Sequence, residues 1–183
     1  GNDWYFFSIA SVFFGQIEED ATFSFTSTGI LPLQYMYRRS ILGQEKESEL
    51  IYNHTDKVVA GSKGNKSFTV KLQGGELDMG TYMLALRDDI ARGIQAPCYK
   101  VIDQDDVENY CFKVTGHETI ETALGKMDTV MIERIRKAQS PRSTRFWLAP
   151  SLGYNIVKLE HQEEKGKNAY SLEITYYKRE NAK

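Results

Sequence analysis

Arg134, Arg145 and Trp147 are the residues whose types and spacing come nearest to a binding chemistry. They fall in two segments that read as strands, Met127 to Lys137 and Arg142 to Leu148, joined by a turn at Gln139-Ser140. With Ala138 paired to Pro141, Arg134 lies opposite Arg145, Ile132 opposite Trp147 and Val130 opposite Ala149, all on one face. Like charges directly opposite each other repel unless something negative answers them. An internal carboxylate, such as Glu121, Glu133 or Glu160, is the structural answer. An anionic head group is the functional one, with Trp147 and neighbouring aliphatic side chains holding an apolar tail.

Cys98 and Cys111 lie on successive expected strands. If the loop between them is Gln104-Asp105, the two cysteines are directly opposite and within disulfide reach. If the loop is Asp105-Asp106, Cys98 faces Lys113 and the cysteines are diagonal. Two inert thiols are the alternative to a bond. No metal site is expected, because two cysteines without a nearby histidine pair make an incomplete zinc shell. His54, His117 and His161 are far apart, and none sits in a metal motif.

His117-Glu118 has the residue types of an acid–base pair, but adjacent strand residues point to opposite faces. Glu118, beside Thr119 and Thr122, reads as a turn-organising carboxylate. Asp88-Asp89 and Asp105-Asp106 read as solvated charges of a helix and a loop. The sequence holds neither a Gly-x-Ser-x-Gly elbow nor a glycine-rich phosphate loop, so no catalytic residue and no cofactor is expected.

The elements that must position these residues are mostly strands. A chain of 183 residues can bury about 70% of its unfolded surface, enough for one sizeable core without metals or cross-links. Alternating apolar residues mark strands over Tyr5 to Phe14, around Phe23 to Phe25 and around Leu33 to Tyr37. The first is apolar on both faces, which predicts cover on both. Further strands are expected near 48–52, 57–61 and 67–72, and after the helix near 98–102, 109–116, 155–162 and 169–177. Gly43, Asn53-His54, Gly64-Asn65 and Gly74-Gly75 supply turns between the earlier ones.

One helix is expected from about Met79 to Arg92, with Met79, Tyr82, Met83, Leu86 and Ile90 on one face. Asp78 is its N-cap and Gly93 its stop. The economical architecture is mostly β: a strongly curved antiparallel sheet or partial barrel of about eleven strands with the helix in its concave face. No linker or repeat divides the chain, so a single domain over residues 1–183 is expected.

Several of these residues also form an ordered pattern. Leu86-Arg87-Asp88-Asp89 precedes Gly93, and Tyr99-Lys100-Val101 with Asp103 follows. Then come Tyr110, Phe112, Val114, Gly116, Glu118, Thr122, Leu124 and Gly125, and after them Arg142, Thr144, Trp147-Leu148-Ala149-Pro150 and Tyr154. Upstream, Gly29, Pro32 and Tyr35 fit a shorter pattern. In these features the chain resembles the bacterial domain-of-unknown-function family 3108, most densely between Thr81 and Leu159. The family's usual proline in the strand after Tyr154 is replaced by Asn155-Ile156-Val157. The resemblance implies an exported, periplasmic protein of Gram-negative bacteria with no assigned activity. It also implies a chain that begins inside the domain, one strand short, with its export signal removed.

Charge and hydropathy narrow the partners. The net charge is −2 with both signs interspersed, which argues against a nucleic-acid binder. The longest apolar run, Trp4 to Phe14, is too short to cross a bilayer as a helix, so no transmembrane segment is expected. The chain carries 11 Tyr, 9 Phe and 2 Trp. That aromatic load, with the two arginines, leads to the expectation of a non-enzymatic domain holding an amphipathic or lipid-like ligand. The alternative is an envelope interaction protein that binds another protein through a sheet edge or apolar patch.

Overall fold

The structure, a computed structural model, describes residues 3–12, 14–136, 140–164 and 167–178. Among them are the strands β1 (Asp3–Val12), β2 (Gly15–Thr26), β3 (Gly29–Ile41), β4 (Gln44–Asn53), β5 (Val58–Lys63), β6 (Lys66–Lys71), β7 (Glu76–Leu77), β8 (Cys98–Asp103), β9 (Asp106–Thr122), β10 (Gly125–Ile135), β11 (Ser143–Ala149), β12 (Asn155–Glu164) and β13 (Lys167–Glu173). One helix, α1 (Thr81–Ala91), lies between β7 and β8. Strands β1 to β6 form one sheet and β7 to β13 a second, each strand lying beside its neighbours in sequence. The sheets are curled. Neighbours from β1 to β6 and from β9 to β13 pair antiparallel, while β7 and β8 run parallel. A strand–helix–strand crossover produces that parallel pair, which a hairpin cannot.

The chain divides into two compact units: residues up to Ala85 together with Tyr99–Tyr110, and Leu86–Cys98 together with Cys111 onward. The division falls inside α1 after Ala85, at the start of β8 after Cys98, and inside β9 after Tyr110; no glycine, proline or polar linker marks the first and last of these.

In the first unit the inner face of the six-stranded sheet carries the core. Ala21, Tyr35, Leu50, Tyr52, Val59 and Val70 alternate inward along β2 to β6 and meet Ile102 of β8, while Met79 at the entry to α1 packs against the same cluster. Period-2 alternation is why these positions share a face. Gly61 sits opposite Phe68 on β6, and a Cβ at Gly61 would run into the Phe68 ring. The glycine is needed there so that the aromatic ring can fold across the strand and cover its own core.

The helix ends follow their local chemistry. Asp78 Oδ1 accepts from the backbone N–H of Gly80 at 3.0 Å and of Thr81 at 2.7 Å, and Asp78 N–H donates to Thr81 Oγ1 at 3.0 Å. This reciprocal box satisfies donors that the first turn leaves unpaired. At the far end Gly93 takes φ 84°. Its N–H bonds Ile90 O at 3.0 Å, and Ile94 N–H bonds Asp89 O at 2.9 Å, the pairing of a Schellman stop. Tyr82, Leu86 and Ile90, four residues apart, are buried.

In the second unit β10 to β13 and the later part of β9 form an antiparallel meander. Met127, Trp147, Ala149 and Val157 form a core with Ile120, Met131, Leu152 and Ile174 on one side. On the other, Phe112 and Phe146 meet edge to face at 5.9 Å.

Candidate functional site

The two arginines do not face each other. The observed register pairs Val130 with Leu148, Met131 with Trp147, Ile132 with Phe146 and Glu133 with Arg145. It differs by one residue from the register expected from a Gln139-Ser140 turn, part of which lies outside the described residues. The reason is burial. Pairing Ile132 with Phe146 and Val130 with Leu148 puts four buried residues on one face, whereas the expected register would set Phe146 across from Glu133. A slip of one residue exchanges the faces of a whole strand. Arg134 therefore shares a face with Ile132 and with Phe112, its partner on β9. Arg145 lies on the opposite face, with Glu133 across from it on β10 and Glu160 on β12.

Trp147 is buried, and its indole N–H donates to Glu118 Oε2 at 2.9 Å. Lys158 sits over the ring, 4.7 Å from its centroid, and bonds Glu160 at 2.8 Å. Glu118 thus anchors the indole rather than a turn. Beside Arg145 a crevice of about 280 Å³ is lined by Ser143, Glu160, His161, Tyr170 and Ser171 among others. Of its walls, His161 is held through Nδ1 by a 2.9 Å hydrogen bond with the buried Thr144 Oγ1, and the His161 ring lies against Tyr170 at 5.1 Å. A second crevice, about 190 Å³, holds His117, Glu118 and Asp128. His54 lies in the first unit, bonded to Pro32 O at 2.6 Å.

Cys98 and Cys111 are bonded to each other, with Cα atoms 4.0 Å apart. The turn between β8 and β9 is Gln104-Asp105, with Gln104 at φ 65°, and that two-residue loop sets the cysteines across from each other. Among the described residues no group of histidine, cysteine and carboxylate side chains could hold a metal. No helix among them is long and apolar enough to cross a membrane.

The first unit contains two arrangements that the chemistry-bearing motifs did not point to. The first is on its inner face. The Tyr35 hydroxyl donates to Glu19 Oε1 at 2.7 Å. Asp78 is fully buried, and burial pushes its carboxyl up to about 6, against the pull of the Thr81 and Gly80 hydrogen bonds. Burial also raises Glu19, Tyr35 and Tyr52, with Asp78 adding to the rise at both tyrosines. At Tyr52, Asp78 acts both through its charge and through a side-chain hydrogen bond. Burial in this centre favours the protonated forms of Glu19 and Asp78, and Asp78 fixes the cap of α1. The alternation Glu19, Ala21, Phe23 was the sequence signal that places Glu19 inward.

The second is on the outer face and corrects the expectation for the first strand. β1 is covered on one face, where that expectation required both. It is the end strand of its sheet, and Tyr5, Phe7 and Ile9 are 65%, 47% and 52% exposed. Tyr5 and Phe7 stack in parallel at 6.4 Å. Only the other face turns inward, where Phe6 joins the core. The register continues this stripe into a charged band. Ile9 pairs with Glu18, which pairs with Arg38 and then Glu47; Phe7 pairs with Asp20, then Met36 and Glu49. Ser40 of the same face pairs with Glu45. Arg38 is the one cation among these positions, 3.0 Å from Glu18, 3.6 Å from Asp20 and 3.9 Å from Glu47. The Tyr5 hydroxyl donates to Asp20.

Comparison with known proteins agrees with the fold. No curated protein matches the chain. Among solved structures it is similar to a β-barrel-like protein of the domain of unknown function DUF1849 from Brucella abortus, at 10% identity and a TM-score of 0.53 over 86% of this chain and 71% of that one. At that identity the likeness shows the fold alone. A match to the family described as a protein of unknown function, DUF3108, runs over residues 8–175. The chain therefore belongs to the DUF3108 family.

Proposed function

We propose that this chain is a non-enzymatic binding domain of the Gram-negative periplasm that takes up a strand of another polypeptide along β1. The observation that carries the reading is the bare apolar edge of the first sheet. An end strand offers a row of unpaired backbone groups to any passing strand, and proteins blunt such edges with lysine, proline, bulges or shortness. β6, the opposite end of the sheet, is six residues long and carries Lys66 and Lys71. β1 is ten residues long, its register with β2 has no shift, and its one charged residue is Asp3. Backbone hydrogen bonds would supply affinity, and the Tyr5, Phe7 and Ile9 stripe would supply side-chain contact. The Cys98–Cys111 bond supports an oxidising compartment, where disulfides persist.

An amphipathic ligand is the second reading. The crevice beside Arg145, with His161, Ser143 and Ser171 on its walls, favours a polar or anionic head group there. The two readings separate experimentally. A photo-crosslinking residue placed at Phe7 or Ile9 in cells should give a polypeptide adduct, while one at Thr69 on β6 should not. Equal adducts at all three positions, or none, would refute strand addition. A small molecule extracted from the purified protein and lost in Arg145→Ala would favour the ligand reading.

A further inference from the structure

We infer that the segment added to β1 alternates basic and apolar side chains, with its lysines or arginines on the outer face above Phe7 and Ile9. This rests on the strand-addition reading and names the partner that reading leaves open. An added strand lies about 4.8 Å beyond β1, so its outer-face side chains stand beside Tyr5, Phe7 and Ile9, and the carboxylates of Asp20 and Glu18 lie about 10 Å away, across β1. A purely apolar side chain covers the stripe and leaves Glu18 and Asp20 to share the single guanidinium of Arg38. An acidic one adds a like charge beside Glu18 and Asp20, the carboxylates nearest the edge, which have only Arg38 as a cation. A lysine or arginine satisfies both demands. Its stem lies along apolar surface while its head reaches the carboxylates, and the exposed faces of Tyr5 and Phe7 attract a cation. On the inner side Ser8, Ala10 and Phe6 are partly buried, which calls for small or apolar residues between the basic ones. A second copy of β1 fits worse. It contains no lysine or arginine, so pairing two copies would bring two acidic bands together.

The test uses synthetic peptides as long as β1 with alternating Arg-Val, Ser-Val or Glu-Val, titrated into the whole chain by fluorescence anisotropy. The Arg-Val peptide should bind about tenfold more tightly than Ser-Val, as expected for two exposed ion pairs of up to about 1 kcal/mol each. Glu-Val should not bind, and added salt should erase the difference. Glu18→Gln with Asp20→Asn should remove most of the preference, while Asp88→Asn with Asp105→Asn, the same charge change elsewhere, should not. Equal binding of Arg-Val and Ser-Val overturns the inference while strand addition stands. Undiminished binding of an Arg-Val peptide N-methylated along one edge overturns strand addition while the charge preference stands. Self-association of the chain with no peptide binding overturns both.

Discussion

Replacing Asp78 by Asn separates the two roles of that carboxyl, capping α1 and carrying a proton in the core of the first unit. The folded Asp78 titrates at about 6 against an ordinary value of 3.8. Because the folded value is the higher one, the native state holds a proton that the unfolded chain releases between those two values. Its contribution to stability is therefore fully present below about pH 4, is lost as pH rises towards 6, and stays lost above. A shift of about two pH units corresponds to about 3 kcal/mol, and the group is fully buried, so solvent does little to screen it. Asn cannot ionise, and its Oδ1 keeps the acceptor for the Gly80 and Thr81 N–H groups. Its amide can also donate to the Tyr52 hydroxyl, the group that Asp78 already reaches. Urea unfolding from pH 4 to pH 8 is the assay. Asp78→Asn should match the parent at pH 4 and exceed it at pH 8 by up to about 3 kcal/mol. Glu19, also raised by burial, should leave a residual slope of the same sign in both proteins. Parallel pH profiles, or a variant less stable than the parent at pH 8, would refute the reasoning.

Two further outcomes test the second unit. Converting Cys98 and Cys111 together to serine opens a cross-link with a sequence separation of 13, which the loop-entropy relation sets at about 3 kcal/mol; thermal unfolding should show the loss under oxidising conditions and none once the parent is reduced. Glu133→Lys places like charges opposite both Arg145 and Lys113; in a double-mutant cycle with Arg145→Ala, the 133–145 coupling alone should be about 0.5–1 kcal/mol in chemical denaturation, a coupling that the register pairing Arg134 with Arg145 would not produce.

Local chemistry was readable in the residues themselves. Asp78 with Thr81, Gly93, and the four-residue spacing of Tyr82, Leu86 and Ile90 define α1 without reference to anything distant. The turns at Gly43 and Gly64 are likewise set by residues that accept positive φ, 74° and 57°. What the sequence left open depends on pairing partners. A strand apolar on both faces reads the same at the middle of a sheet as at its end, so nothing within Trp4 to Phe14 reveals that β1 has a neighbour on one side only. The Arg134 and Arg145 register turned on a single residue in the connecting loop. Both candidate registers bring apolar residues opposite each other, and only the burial of Phe146 with Ile132 decides between them. Glu118 looked like a turn residue because its partner, the Trp147 indole, is remote in sequence. The unit boundaries inside α1 and β9 follow from packing, which leaves no trace in composition.

The central claim is that β1 is an edge built to receive another strand. Amide hydrogen exchange with and without a saturating Arg-Val peptide tests it most directly, since a paired edge gains protection where its N–H groups become bonded. The account predicts new protection concentrated in Asp3–Val12, with β6 and the second unit unchanged. Protection confined to β6 or to the crevice beside Arg145, with β1 exchanging as before, would contradict it.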